Sequence, residues 1–196
     1  MKNIMRLYKP SEGSVKIFGQ DVTELEDEDL ENVIKKMGIL FQNGALLNSC
    51  SIYDNISIPF EFHTSLPKKM IDRIIRKKLD LVELSHAIHL FPSQLSGGMI
   101  KRAAMARAMA LDPLILFCDE PSAGLDPITC KALDELFLKL KSQLNITIIM
   151  VTHELASIHR IADHILFLDQ GEVLFDGPLR EAVQSKIPFV YRFFNQ

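Results

Sequence analysis

The chain has 196 residues, of which 47% are hydrophobic and 24% are charged, and its formal net charge at pH 7 is -3. This composition is typical of a globular protein of about one domain and excludes a disordered or fibrous chain. The apolar runs are shorter than the roughly 18 residues of a membrane-spanning helix, and the slightly acidic balance argues against a surface built for nucleic acid. Three widely separated cysteines suit a reducing compartment. We therefore expect a soluble intracellular globular protein.

The first half of the chain predicts short strands and helices in alternation. Ser14–Phe18 alternates apolar and polar residues, as a half-exposed strand does. Thr23 is predicted to cap a helix, with Glu26 completing a capping box. Met37–Phe41 is short and apolar, which indicates a buried strand. Pro67 opens an amphipathic helix that runs to about Val82. The basic face of that helix, which suits nucleic acid or lipid headgroups but equally a solvated surface, comprises Lys68, Lys69, Arg73, Arg76, Lys77 and Lys78.

The second half predicts a βαβ unit. Leu114–Cys118 and Ile146–Val151 are continuously apolar, as expected for parallel strands buried on both faces. A helix from about Pro127 to Leu144 joins them. Upstream, Ser96 caps an alanine-rich helix that ends near Leu111. Downstream we expect a hairpin with the strands Ile165–Leu168 and Glu172–Phe175. Gly177-Pro178 should then interrupt the regular structure before a short terminal helix.

Two carboxylates follow the first of these buried strands. Asp119 and Glu120 would emerge at the carboxyl edge of the sheet, where α/β proteins bind ligands. Asp119 is suited to hold Mg²⁺, and Glu120 to orient and deprotonate an attacking water. Taken alone, an apolar run followed by two acids is equally compatible with a purely structural role.

Other polar groups strengthen a phosphate-binding interpretation. Ser96, Gly97 and Gly98 begin a helix, where free backbone N–H groups favour an anion. His153 follows the next buried strand and could reach a terminal phosphate, although a strand-end histidine is commonly a surface residue. Gln42 follows an earlier strand and could offer its amide to a metal and to phosphate.

Taken in order, these elements resemble the ATP-binding subunit of an ABC transporter over almost the whole chain. Methionine stands at Met99, where most members of the family have glutamine in the signature motif. The matching segments are Gln42 (Q-loop), Leu95–Met99 (signature), Ile115–Asp119 (Walker B), Glu120 (catalytic glutamate), Ala123–Asp126 (D-loop) and His153 (switch histidine).

The resemblance implies an α/β, P-loop NTPase-like layered domain over residues 1–196, with a helical subdomain at about residues 50–110. It implies Mg-ATP as the bound nucleotide, Glu120 and His153 as catalytic residues, and Gln42 and Asp119 as metal ligands. A second copy of the subunit would close the site, and no nucleic acid is involved. The nucleotide-contacting residues that it implies are Gln42, Ser96, Gly97, Gly98, Asp119 and Asp126.

Finer resemblance narrows the branch of the family. Phe41–Leu47, Tyr53–Ile56 and Pro59 are similar to the ATPases of Mla/Mce-type lipid transporters. This implies phospholipid traffic through a membrane permease and an Mce-type lipid-binding protein, with the ATPase peripheral on the cytoplasmic side of the inner membrane. The alternatives are an ABC ATPase for another small solute, a non-catalytic partner-binding subunit or remnant, and an ABC protein acting on ribosomes or DNA.

One family element does not occur in the sequence. A phosphate-binding Gly-x-x-x-x-Gly-Lys-Ser/Thr loop, known as Walker A, requires a Gly-Lys pair, and the chain has none. Lys2–Tyr8 resembles the later turns of the helix that follows this loop. We therefore expect an N-terminally truncated chain, lacking the first strands and the P-loop, either from a start codon set too far downstream or from a decayed gene. Such a chain should bind ATP poorly, because it would lose several charge-assisted hydrogen bonds.

Overall fold

The computed structural model describes residues 1–195, which form an α/β fold. The strands in chain order are β1 (Lys16–Ile17), β2 (Gln20–Asp21), β3 (Met37–Leu40), β4 (Ile115–Asp119), β5 (Thr147–Val151), β6 (His164–Asp169) and β7 (Glu172–Pro178). The helices are α1 (Asp27–Ile34), α2 (Ile52–His63), α3 (Lys68–Leu81), α4 (Gly97–Ala108), α5 (Pro127–Leu144), α6 (Leu155–Ile161), α7 (Leu179–Val183) and α8 (Pro188–Phe194).

A parallel three-stranded sheet occupies the centre of the first part of the chain. Its order is β3-β4-β5, and its register pairs Leu40 with Cys118 and Asp119 with Val151. Leu116, Phe117 and Cys118 in the central strand are fully buried. Parallel neighbours require a crossover connection, which α2–α4 supply between β3 and β4 and α5 supplies between β4 and β5. The predicted βαβ unit is therefore confirmed.

Helix α5 carries its own start and stop signals. The Asp126 carboxylate accepts the backbone N–H groups of Ile128 and Thr129 at 3.0 and 3.1 Å. The helix ends at Asn145, whose φ of 50° is a left-handed conformation that asparagine adopts more readily than most residues. The buried face of the helix is apolar, and it comprises Leu133, Leu136, Phe137 and Leu140. The bounds predicted for this helix match those observed.

A helical region lies between β3 and β4. α2 begins with a capping box, in which the Ser51 hydroxyl accepts the Asp54 N–H and the Asp54 carboxylate accepts the Ser51 N–H, both at 3.1 Å. The alanines of α4 let this helix approach β3 closely. A side chain at Gly38 in β3 would collide with the carbonyl oxygen of Ala108 in α4, so the contact requires glycine.

The chain divides into two compact units, Met1–Thr152 and a second unit that begins at His153. The second unit pairs β6 with β7 as an antiparallel hairpin. Its core includes the buried residues Ile158, Ala182, Val190 and Phe194. An edge-to-face pair between Phe167 and Phe193, with ring centroids 5.2 Å apart, links the hairpin to α8. α8 thus closes the apolar core of its own unit.

The prediction that Thr23 caps the first helix is wrong. α1 begins at Asp27, and Glu26 at its N-cap makes no side-chain capping bond. Thr23 instead donates its hydroxyl and its backbone N–H to the Asp21 carboxylate, at 2.6 and 3.0 Å. This local Asx turn competes successfully with the capping box because it engages the same threonine groups over a shorter span of chain.

Three other expectations also need correction. β5 is not buried on both faces: Ile149 and Val151 are 38% and 45% exposed, because β5 is an end strand whose outer face is only partly covered. Lys78 does not belong to a solvated basic face, since it is buried and donates to the Asp112 carboxylate from inside the helical region. β7 runs beyond its predicted end at Phe175 as far as Pro178, and α7 begins at the next residue, so Gly177-Pro178 does separate the hairpin from a short helix.

Candidate active site

The ends of the three parallel strands bring together most of the residues that the sequence singles out. β3 ends two residues before Gln42, β4 ends at Asp119, and β5 ends two residues before His153. The in-register pairs at this edge place the residues that follow β3 and β4 side by side. The structure therefore gathers Gln42, Asp119 and Glu120 at one edge of the sheet, as predicted.

Backbone hydrogen bonds hold Glu120 at the end of β4. Its N–H donates to the carbonyl oxygen of Val151 at 2.8 Å, which extends the β4–β5 ladder by one bond. Its φ is 42°, a left-handed conformation that costs a non-glycine residue about 1–3 kcal/mol. A turn follows immediately, since the Ala123 N–H donates to the Glu120 carbonyl at 3.1 Å. Backbone strain at an acid on a sheet edge is typical of a functional position.

Asp119 and Gln42 carry the kinds of oxygen ligand that a magnesium ion takes when phosphate supplies its other ligands. Asp119 is the half-buried last residue of β4, and Gln42 is exposed on the neighbouring loop. Within residues 1–195, no group of three or more His, Cys, Asp or Glu side chains is placed to hold a metal. One carboxylate and one amide oxygen suit Mg²⁺, which keeps several waters and takes its other ligands from substrate phosphates.

A buried lysine, which the sequence analysis does not single out, lies beside this edge. Lys101 on α4 is 5% exposed and donates its ammonium to the carbonyl oxygen of Gln42. Burial lowers the pKa of Lys101, while the charges of Cys130 and Glu120 oppose that shift. The lysine thus interacts with both the loop after β3 and the acid after β4. A single lysine on the otherwise alanine-rich inner face of α4 is the sequence signal that could have found it.

The Ser-Gly-Gly turn begins α4 as predicted. The Ser96 hydroxyl accepts the N–H of Met99 at 3.4 Å, while Ser96 and Gly97 remain exposed. A Cβ at Gly98 would lie 2.7 Å from the Thr129 methyl carbon, so the turn packs tightly on the first turn of α5. The backbone N–H groups in the first turn of a helix can donate hydrogen bonds to an anion, so this turn is a candidate anion site.

The structure gives Asp126 a definite local role. Its carboxylate caps α5. The hydrogen bond from the Thr129 hydroxyl, followed in size by the bond from the Thr129 N–H, lowers the pKa of Asp126. The Thr129 side chain, held by this bond, is also the group that contacts Gly98. Asp126 and the Ser96 turn are therefore neighbours in one exposed patch. Contact between Asp126 and a nucleotide stays a prediction.

His153 is the first residue of the second unit, and its side chain is exposed. It follows β5 in the chain, as the sequence predicts. Its catalytic role stays a prediction.

Comparison with known proteins identifies relatives over the whole chain. The family model described as "ABC transporter" matches residues 1–123. The chain is 40% identical, over 95% of its length, to the intermembrane phospholipid transport ATP-binding protein MlaF of Haemophilus influenzae, of which it spans 70%. It is 37% identical to the probable ribonucleotide transport ATP-binding protein mkl of Mycobacterium leprae and 34% identical to the methionine import protein MetN 1 of Pseudomonas fluorescens. It spans only 56% and 59% of these two relatives.

Superposition on solved structures also finds an ATP-binding cassette. The dimeric ATP-binding cassette MJ0796, in a post-hydrolysis state bound to ADP and Pi, superposes with a TM-score of 0.81 at 30% identity. That superposition covers 91% of this chain and 78% of the cassette. The cbiO1 protein of Clostridium perfringens superposes with a TM-score of 0.84 at 24% identity, which supports the fold alone.

Proposed function

Because this chain belongs to the ABC transporter family of ATP-binding subunits, we propose that it hydrolyses Mg-ATP to drive lipid transport through a membrane permease. The observation that carries the proposal is the carboxylate pair at the end of β4, where Glu120 is held in a left-handed conformation at the sheet edge. Among residues 1–195, no helix is long and apolar enough to cross a membrane. We propose that the protein attaches to the membrane peripherally, on the cytoplasmic side, through the permease.

The proposed chemistry assigns separate work to the two acids. Glu120 orients a water molecule and accepts its proton as the water oxygen attacks the terminal phosphorus of ATP. The bond between that phosphorus and its bridging oxygen breaks, and ADP carries the released electron pair. Asp119 and Gln42 would hold Mg²⁺, which neutralises phosphate charge when bound. His153 contacts the terminal phosphate in this proposal.

A second copy of the chain completes the proposed site. Ser96 and Gly97 are exposed at the start of α4, so they are available to a nucleotide held by another subunit. The dimeric MJ0796 cassette supports this arrangement, because it binds ADP and Pi as a dimer. In the proposed dimer, Asp126 lies beside the same patch and contacts the nucleotide or the partner. We further propose that residues at about 50–110 act as a helical subdomain that carries the Ser96 turn.

Phospholipid is the substrate class that we propose. MlaF proteins of two species, Haemophilus influenzae and Escherichia coli, are 40% and 36% identical to the chain, and both are named for phospholipid transport. The proposed partners are therefore a lipid permease and an Mce-type lipid-binding protein. Ribonucleotide and methionine transporters among the relatives provide the alternative substrates.

Because the sequence contains no Gly-Lys pair, we propose that the chain binds ATP weakly. Phosphate release from Mg-ATP by the purified protein, measured at saturating nucleotide, tests the activity. We expect Glu120→Gln to reduce the rate by about 100-fold or more, which is the typical contribution of a general base. The matched control is Glu135→Gln, which neutralises an exposed carboxylate on α5 and should leave the rate unchanged. No phosphate release from the unsubstituted protein would favour the alternative of a non-catalytic, partner-binding subunit. An unchanged rate in Glu120→Gln would remove Glu120 from the mechanism.

Transport in vesicles tests the substrate class. With permease and ATPase reconstituted together, we expect ATP-dependent movement of a labelled phospholipid and none of labelled methionine or ribonucleotide. The opposite result would assign the chain to another solute while leaving its ATPase activity intact.

A further inference from the structure

The loop that carries Gln42 lies directly on α4. Gly44 in this loop has a φ of 72°, and a Cβ at Gly44 would lie 3.2 Å from the side chains of both Ile100 and Ala104. The loop backbone thus approaches the helix as closely as glycine allows. Since α4 begins at the Ser96 turn, the loop packs on the same helix that carries this turn.

Two cationic side chains of α4 reach across this contact to the loop backbone. Lys101, 5% exposed, donates to the carbonyl oxygen of Gln42. Arg107 donates to the carbonyl oxygen of Gly44 at 2.9 Å. A buried cation is costly unless its donors are used, and a charged donor makes a hydrogen bond about twice as strong as a neutral one. The two residues therefore bind the loop more firmly than apolar packing alone would.

The arginine also reaches a second anchor of the same loop. Arg107 donates to the Asn55 side-chain oxygen at 3.4 Å. Asn55 is fully buried, accepts the Leu47 N–H at 2.8 Å and donates to the Leu47 carbonyl at 3.0 Å. The loop is thus held at Gln42, Gly44 and Leu47, and every one of these attachments depends on α4 or on a residue bonded to it.

We propose that Lys101 and Arg107 form a clamp that fixes residues 42–47 to α4, so that Gln42 and the Ser96 turn move as one body. Lys101 and Arg107 are positioning residues, since Lys101 acts through the Gln42 main chain and Arg107 acts through the Gly44 main chain of the same loop. The clamp stands on its own geometry, and its effect on the metal site rests on the function proposed above. A misplacement of about 1 Å at a reacting centre can cost 100-fold in rate, so holding Gln42 this way matters for activity.

Hydrogen exchange measures the clamp independently of any activity. The Gly44 N–H donates to the Phe41 carbonyl at 2.8 Å, and the Leu47 N–H donates to Asn55, so these two amides report on the loop. In Lys101→Met we expect both to exchange about 10-fold faster, since a charge-assisted hydrogen bond is lost. Arg107→Met should accelerate the Leu47 amide at least as much.

Arg102→Met provides the matched control, because Arg102 is the next residue on α4 but donates away from the loop, to the Val82 carbonyl at 3.1 Å and the Glu83 carboxylate at 2.7 Å. In Arg102→Met the Gly44 and Leu47 amides should exchange as slowly as they do in the unsubstituted protein. Unchanged exchange at Gly44 and Leu47 in Lys101→Met would overturn the clamp, whatever the protein hydrolyses. If Arg107→Met fails to fold, hydrogen exchange in Lys101→Met alone decides whether the clamp exists.

Magnesium dependence distinguishes positioning of Gln42 from mere support of the fold. We expect Lys101→Met to raise the Mg²⁺ concentration for half-maximal phosphate release by about 10-fold, with a smaller change in kcat, since the loss falls on metal binding. Lys101→Gln retains an N–H donor and should restore most of the Mg²⁺ affinity. An unchanged Mg²⁺ dependence in an active Lys101→Met protein would overturn the positioning role. An unsubstituted protein that releases no phosphate would refute the proposed function, while exchange would still decide the clamp.

Discussion

Gly98→Ala should destabilise the protein through one defined contact. The new Cβ would lie 2.7 Å from the Thr129 methyl carbon, whereas carbon atoms in contact normally lie about 3.5–4.0 Å apart. The Thr129 side chain cannot turn away easily, because its hydroxyl donates to the Asp126 carboxylate that caps α5. Overpacking of this kind costs about 1–3 kcal/mol. The higher helix propensity of alanine returns about 1 kcal/mol, which leaves an expected net loss of about 0–2 kcal/mol.

A second substitution isolates that contact. Thr129→Ser removes the methyl carbon and keeps the hydroxyl bond to Asp126, so in the serine background Gly98→Ala should no longer destabilise the protein and should keep only the propensity gain of about 1 kcal/mol. Gly97→Ala is the control, since its Cβ would meet only the flexible tip of Leu125, at 3.3 Å. Urea unfolding followed by circular dichroism gives the free energies of unfolding for the four members of the cycle. An equal cost of Gly98→Ala in the threonine and serine backgrounds would refute the steric argument.

The remaining predictions concern local interactions in the first unit. Ser51→Ala removes the hydroxyl that accepts the Asp54 N–H and donates to the Asp54 carboxylate, while the bond from the backbone N–H of residue 51 to that carboxylate remains. The free energy of unfolding should fall by about 1 kcal/mol in urea titration; no change would mean that the cap is replaced by water. Burial raises the pKa of the Cys118 thiol, so this cysteine should resist a thiol reagent in the native protein and react only in denaturant, and native labelling at Cys118 would contradict its burial. The depressed pKa of Asp126 contributes stability that is complete above its usual value of 3.8 and is lost as the pH falls through the lower folded-state value. Thermal unfolding between pH 5 and pH 3 should therefore show a smaller acid loss in Asp126→Asn, and an equal loss would contradict the shift.

The sequence predicts best those features that depend on residues close together in the chain. The helix from Pro127 to Leu144 has a capping aspartate, a proline and a terminal asparagine, and each signal acts within one turn. The turn at Ser96 is predicted for the same reason. The family resemblance rests on such local motifs, and the comparisons confirm it. Thr23 shows the limit, because two local hydrogen-bonding patterns compete there and the sequence does not rank them.

Features that depend on packing between distant segments are harder to predict. Lys101 and Gln42 are 59 positions apart, and Lys78 and Asp112 are 34 apart, so neither pairing leaves a periodic signal. Charged residues on a helix are ordinarily expected in solvent, which is why the buried position of both lysines is informative only in three dimensions. The exposure of β5 has the same origin. Its sequence is that of a covered strand, but burial depends on what the fold places beside it.

The left-handed conformation of Glu120 implies a trade-off between activity and thermodynamic stability. Any side chain with a Cβ is unfavourable at a φ of 42°, whereas glycine adopts it at little cost. Replacing the glutamate with glycine would relax the turn after β4 by about 1 kcal/mol while removing the proposed base. A laboratory screen for thermostability alone would therefore enrich variants that are more stable but inactive. Selection for ATP hydrolysis must accompany it if Glu120 is to be retained.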